Sequence, residues 1–291
     1  MIGETVAIEI INAGAALGAE IKGVDLRQAI DGDTFEQIRL AFYRHEVIFL
    51  RGQEISDEDH IRFSARFGTL RRLAFSQYIT DRKPEIFVVS NIVESGVNIG
   101  SYDAGLFWHT DGSFHANPHA ASLLRALEVP EKEGRTLGDT EFASMTAAYD
   151  ALSPAMKKRL EGLAAVQSVM RRYEKTLELG RKKENYSDEI KKDPEAIHPV
   201  VRIHPVTGRK CLYVNEGYTV RILELPEKES SDLIAELTTH CTQPEFVYRH
   251  NWRVGDLVMW DNCSTQHRAT FDYALPLRRL MHRTTVISEA A

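Results

Sequence analysis

The alternation of apolar and polar positions divides the chain into a short N-terminal α+β portion and a longer, strand-rich remainder. Val6–Ile11 alternates and is rich in β-branched residues, the pattern of a strand. Asp33 is placed to cap a helix whose apolar stripe carries Phe35, Ile38, Ala41 and Phe42. Glu46–Leu50 reads as a short buried strand. Ser56, with Asp59 three positions on, forms a capping box for a second helix that ends near Gly68. Further candidate strands are Glu85–Ser90, Ala120–Val129, Thr140–Ser144, Lys210–Val214, Phe246–Trp252, Asp256–Trp260 and Arg279–Ile287. Thr146–Leu163 reads as a helix interrupted at Ser153–Pro154, and Pro226–His240 as an amphipathic helix. Many antiparallel strands with few surface helices predict a β-sandwich or jelly-roll barrel with helical cover. Arg71–Lys83 has no clear period, and the charged run Arg171–Glu195 reads either as solvated surface or as an active-site lid.

Composition narrows the class without naming it. The 291 residues are 43% hydrophobic and 27% charged, which excludes low-complexity disorder. No apolar run approaches the roughly 20 residues that span a bilayer, so no membrane association is expected. The N-terminal MIGETVAIEII lacks the basic start and small-residue cleavage site of a signal peptide, and a cytoplasmic protein is expected. Three scattered cysteines, Cys211, Cys241 and Cys263, agree with a reducing compartment and exclude a disulfide framework. With 36 Lys+Arg against 42 Asp+Glu the net charge is −6, which argues against nucleic acid.

Two short stretches carry the candidate chemistry. In Trp108–His109–Thr110–Asp111, an extended backbone would point His109 and Asp111 the same way, toward one ion. The second stretch runs from Trp260 to His267 and resumes at Arg279–Arg283. On a regular last strand Arg279, Met281 and Arg283 share one face, and Leu280 and His282 the other. The arginines are either exposed charges on an edge strand or two guanidinium forks aimed at oxyanions. Taken together, His109, Asp111 and His267 form a two-histidine, one-carboxylate set. That arrangement leaves open positions on non-haem Fe(II), and Arg279 would hold the distal carboxylate of a chelating co-substrate. His115 and His119 are four apart, but Pro118 interrupts any helix that would join them.

The ordered segments Gly18–Ile21, Val47–Gln53, Phe67–Gly68, His109–Asp111, Gly138–Thr140, His198–Arg202, Leu212–Gly217, Gly255–Asn262, Gln266–Arg268 and Arg279–Arg283 are similar to those of a known family. The chain resembles the Fe(II)/2-oxoglutarate-dependent taurine and dichlorophenoxyacetate dioxygenases, the TauD/TfdA family. The resemblance implies a mainly β fold with helical cover and a double-stranded β-helix (jelly-roll) core. It implies one dioxygenase domain over 1–291. Within it, 1–70 is the α+β portion, 71–105 and 171–195 are active-site loops or lid, and 106–291 is the jelly-roll core with an insertion. His109, Asp111 and His267 are implied as iron ligands, Thr140 and Arg279 as contacts to 2-oxoglutarate, and Arg283 as the anchor of an anionic substrate.

The implied reaction couples O2 and 2-oxoglutarate to hydroxylation, yielding succinate and CO2. Where the taurine enzymes carry polar side chains, this sequence has Leu73, Ser76 and Gly105. Leu73, Phe75, Phe107 and Tyr218 would instead offer apolar surface. The expected substrate is therefore a hydrophobic organic anion of aryloxyalkanoate, alkyl sulfate or alkylsulfonate type, with cleavage of its C–O or C–S bond as one outcome. A biosynthetic oxygenase acting on an amino-acid-derived or natural-product scaffold is the alternative within the family. A zinc-dependent hydrolase using the same three ligands, or a non-enzymatic binding barrel, would lie outside it. Small organic acids are the expected partners, in a homo-oligomer (dimer or tetramer).

Overall fold

In the computed structural model the described residues are 8–73, 79–80, 83–180 and 195–287. An eight-stranded sheet runs in the order Glu9–Asn12, Ala19–Lys22, Val47–Leu50, Leu257–Asp261, His119–Glu128, Leu280–Ile287, Lys83–Ser90 and Ile79–Thr80. Its three central strands are contributed from distant parts of the sequence, and all pair antiparallel. A three-stranded sheet places Thr140–Ser144 between Val247–His250 and Thr265–Ala269.

Val47–Leu50 and Leu257–Asp261 are buried on both faces, which explains their nearly continuous apolar runs. Along Val47–Leu50, Ile48 and Leu50 pack on the helices Gly32–His45 and Asp57–Ser64, beside Phe42 and Phe63. Val47 and Phe49 point the other way, into a cluster that also holds Val258, Trp260, Phe142, Tyr248 and Trp252. That second cluster fills the space between the large sheet and the three-stranded one. A third core gathers the helices Met145–Ala151 and Glu227–Cys241 over the remaining short strands.

The helical stripe Phe35, Ile38, Ala41 and Phe42 is buried as its period predicts. The cap is Asp31 rather than Asp33: its side chain accepts from the Thr34 backbone N–H at 2.8 Å, and Asp33 sits inside the first turn. The helix ends at Glu46, which adopts left-handed φ and is a cap rather than the first residue of the following strand. The Ser56–Asp59 capping box forms in full. Proline at the first position restarts the second helix at Pro154–Arg159 after the break at Leu152–Ser153. Of the charged run 171–195, residues 171–178 belong to the helix Val169–Glu178, and 181–194 lie outside the described residues.

Candidate metal and oxyanion site

The strands bring His109, Asp111 and His267 together. One ligand atom from each lies within 4.8 Å of the others, and all three residues are buried. The route differs from a simple strand. His109 forms an isolated antiparallel bridge with His267, with N–H···O bonds of 3.1 and 2.9 Å in the two directions. Asp111 sits in the turn that follows, so its approach to His109 comes from a bend and not from strand periodicity. His267, expected between strands, is the middle residue of Thr265–Ala269 and lies opposite Phe142.

Neighbours set the state of each group. His109 Nδ1 donates to the Phe107 carbonyl at 2.8 Å, which orients the ring and turns Nε2 toward Asp111. His109 Nε2 lies 3.5 Å from Asp111 Oδ1. Burial pushes the Asp111 carboxyl up, but the Arg283 guanidinium and the two imidazoles outweigh it and hold it well below the usual carboxylate range. Arg283 Nη1 reaches both Asp111 oxygens, at 3.0 and 3.1 Å. Burial, with His109 alongside, keeps His267 neutral well below its ordinary value, and its Nδ1 is buried without a protein partner. One carboxylate beside two imidazoles is the donor set a divalent cation of intermediate softness takes, and no thiolate belongs to it.

A second group lies on the same inner face. Arg279 is 3% exposed, sits 6.0 Å from the Trp252 ring, and has a buried Nε without a partner. Among the described residues no carboxylate forms an ion pair with it. Burial lowers its pKa, and Tyr273 offsets part of that shift. Gly138, at positive φ, lets these groups approach: a Cβ there would meet the Tyr273 ring at 2.8 Å and Arg279 Cδ at 3.3 Å. Trp252 Nε1 donates to Thr140 Oγ1 at 3.0 Å. At His282 and Arg283 the last strand alternates, Arg283 turning to Asp111 and His282 to Asp57 at 2.8 Å; the strand begins at Leu280, and its pairing with His119–Glu128 shifts register between Leu280 and Met281.

Tyr218 is buried with its ring edge-on to His109 at 5.8 Å, and Phe114 packs on it at 4.9 Å. The Phe107 ring carries Lys175 at 4.9 Å, while its carbonyl orients His109. Leu73 is half-buried and donates its backbone N–H to Pro84 at 2.9 Å. Phe75 lies outside the described residues. The helix Val169–Glu178 is tied to the rim of the site by Arg172 on Asp103 at 3.3 Å and by Lys175 on Glu216. Trp252, Tyr273 and Ser122 were not singled out by sequence; their residue types carry no site signal until the strands bring them together.

The family described as Taurine catabolism dioxygenase TauD, TfdA family matches residues 9–285. The chain belongs to the TauD/TfdA family. It is a 2-oxoglutarate-dependent dioxygenase, an oxidoreductase that uses 2-oxoglutarate and O2 as co-substrates. It is 34% identical to Pentalenolactone F synthase of Streptomyces arenae over 283 residues, covering 94% of this chain and 93% of that protein. It is also 34% identical to the alpha-ketoglutarate-dependent 2,4-dichlorophenoxyacetate dioxygenase of Cupriavidus pinatubonensis, covering 94% of this chain and 95% of that protein. Among solved structures, AAD-2 in complex with Mn(II) and N-oxalylglycine matches with a TM-score of 0.80 and 32% identity over 98% of each chain. The mainly β fold of the TauD/TfdA family is therefore shared. Among the described residues, no helix is long and apolar enough to cross a membrane.

Proposed function

We propose that His109, Asp111 and His267 hold Fe(II), and that Arg279 and Thr140 receive the distal carboxylate of 2-oxoglutarate. In this reading Arg283 anchors an anionic organic substrate. The observation that carries it is Arg279, a buried guanidinium with no carboxylate partner among the described residues, on the inner face that also bears the triad. A charge left without a counter-ion in a protein interior is costly, and a docked carboxylate removes that cost. A zinc hydrolase would have no use for it.

The bound iron supplies the chemistry that couples O2 and the decarboxylation of 2-oxoglutarate, giving succinate and CO2, to hydroxylation of a C–H bond. The chain's own part is positional. Because Trp252 donates to Thr140 Oγ1, the Thr140 hydroxyl is left to donate its own proton to the 2-oxoglutarate carboxylate. Arg279 supplies the opposing charge in a site from which Trp252 and Tyr273 exclude water. Arg283 reaches Asp111 through Nη1 and keeps a buried Nε without a partner, so the same guanidinium can meet a substrate anion beside the triad. Tyr218 and Phe114 supply an aromatic wall suited to a hydrophobic organic anion such as an aryloxyalkanoate, alkyl sulfate or alkylsulfonate. Hydroxylation at a carbon bearing the ether, sulfate or sulfonate group would release it.

The large sheet facing the three-stranded one across a shared core supports a jelly-roll core within a single dioxygenase domain. The equal identity to Pentalenolactone F synthase favours a second reading, an oxygenase of natural-product scaffolds. Oxygen uptake with Fe(II) and 2-oxoglutarate, measured over a panel of aryloxyalkanoates, alkyl sulfates and neutral lactones, separates the two. Uptake stimulated by anions supports the first reading, and uptake stimulated by lactones alone overturns it.

A further inference from the structure

Asp111 offers two oxygens, and the structure treats them differently. Arg283 Nη1 reaches both, at 3.0 and 3.1 Å, but Oδ1 faces His109 Nε2 at 3.5 Å, whereas Oδ2 accepts a further hydrogen bond from Ser122 Oγ at 2.7 Å. Ser122 Oγ in turn receives Asn262 Nδ2 at 3.1 Å. Chemistry fixes the direction of this chain. An ionised carboxylate only accepts, so Ser122 must spend its single hydroxyl proton on Oδ2. Its remaining capacity is to accept, so Asn262 must turn its amide NH2 toward it. The Asn262 amide oxygen is accordingly left buried and without a partner.

The supporting groups are anchored independently of the site. Ser122 and Asn262 are both 0% exposed. Ser122 lies on the central strand His119–Glu128, with Trp260 opposite it on one side and Thr285 on the other. Two ladders therefore fix the position of its hydroxyl. The Asn262 backbone N–H is held by the Ala120 carbonyl at 3.0 Å.

We infer that Ser122, backed by Asn262, is a positioning residue that occupies Asp111 Oδ2 and so presents Oδ1 alone to the metal. This keeps a coordination position open that a carboxylate binding through both oxygens would fill. The inference rests on the triad reading proposed above, and its test separates the two.

Apo protein is titrated with Co(II), following both calorimetric affinity and the visible ligand-field absorption, in wild type, Ser122→Ala, Asn262→Ala, the double variant and His267→Ala. The inference predicts that Ser122→Ala weakens Co(II) binding about 10–100-fold and changes the absorption spectrum. Asn262→Ala shifts both in the same direction by less. The double variant matches Ser122→Ala, because the two groups act in series. Ser122→Thr, which keeps the hydroxyl, restores the wild-type spectrum. If His267→Ala loses Co(II) while Ser122→Ala keeps wild-type affinity and spectrum, the positioning role is overturned and the triad stands. A lower apo Tm in Ser122→Ala with unchanged Co(II) affinity overturns it as well, by showing a purely structural role. If His267→Ala binds Co(II) as wild type does, the triad falls and the positioning role with it.

Discussion

Replacing Arg279 by methionine should weaken 2-oxoglutarate binding and strengthen the empty fold at the same time. The side chain is 3% exposed, and no carboxylate among the described residues pairs with it. In the proposed complex it makes a charge-assisted contact worth about 1.5–3 kcal/mol, so its loss raises the Kd for 2-oxoglutarate about 10–150-fold. In the free protein the same guanidinium is a desolvated charge, offset in part by Tyr273, the more distant Asp139 carboxylate and the Trp252 ring. Exchanging buried ion pairs for apolar side chains of similar volume is often neutral or stabilising by roughly 1–4 kcal/mol, and removal of this unpaired ion should stabilise on the same scale. Each kcal/mol raises Tm by roughly 2–4 °C in a chain of this size. Calorimetric titration of 2-oxoglutarate into Mn(II)-loaded protein, beside thermal unfolding of the ligand-free protein, reads both effects. In wild type, 2-oxoglutarate should also raise Tm, and in Arg279→Met that increment should vanish. An unchanged Kd in Arg279→Met refutes the assignment of this residue. A Tm that falls by several degrees refutes the claim that the free protein carries an uncompensated charge there.

Further outcomes follow from the same geometry. Trp252→Phe keeps the ring but removes the 3.0 Å donor to Thr140. The loss of about 1 kcal/mol should raise KM for 2-oxoglutarate several-fold with kcat little changed, which initial-rate kinetics checks. Arg283→Ala should raise KM for anionic substrates about 10–150-fold more than for a neutral one, in a comparison across paired substrates at saturating Fe(II). Burial pushes the Glu46 carboxyl from 4.5 up to about 7. The folded chain therefore holds a proton that the unfolded chain releases, and stability falls as pH rises between those values, by about 3 kcal/mol in all. Glu46→Gln should flatten that slope in urea unfolding at pH 5 and pH 8, and parallel curves for the two proteins would contradict it.

Much of the fold was legible because it rests on periodicity. The stripe Phe35, Ile38, Ala41 and Phe42 and the Ser56–Asp59 box are local signals, and the structure keeps both. The cap fell two residues early because Asp31 and Asp33 are equally good caps, and only the turn geometry chooses between them. The strand Thr265–Ala269 escaped notice because Thr-Gln-His-Arg-Ala has no apolar alternation; it is ordered by pairing with Thr140–Ser144, far away in sequence. The histidines and carboxylate of the site were readable as residue types, yet their convergence depends on the bridge between His109 and His267 and on the turn at Asp111. Arg279 and Arg283 were ambiguous for a related reason. Two arginines in a strand read equally as solvated charge, and only burial against Trp252 and Asp111 assigns them inward. Ser122 and Asn262 carry no signal at all until neighbouring strands set one hydroxyl against one carboxylate.

In the proposed reaction one iron held by His109, Asp111 and His267 couples 2-oxoglutarate and O2 to oxidation of an organic anion. Succinate formation by NMR, in wild type and Asp111→Ala, with and without Fe(II) and O2, tests it most directly. Succinate is expected only in wild type, only with both Fe(II) and O2 present, and faster when an acceptable organic anion is added. Succinate formed at the wild-type rate by Asp111→Ala, or by wild type without Fe(II) or without O2, would contradict it.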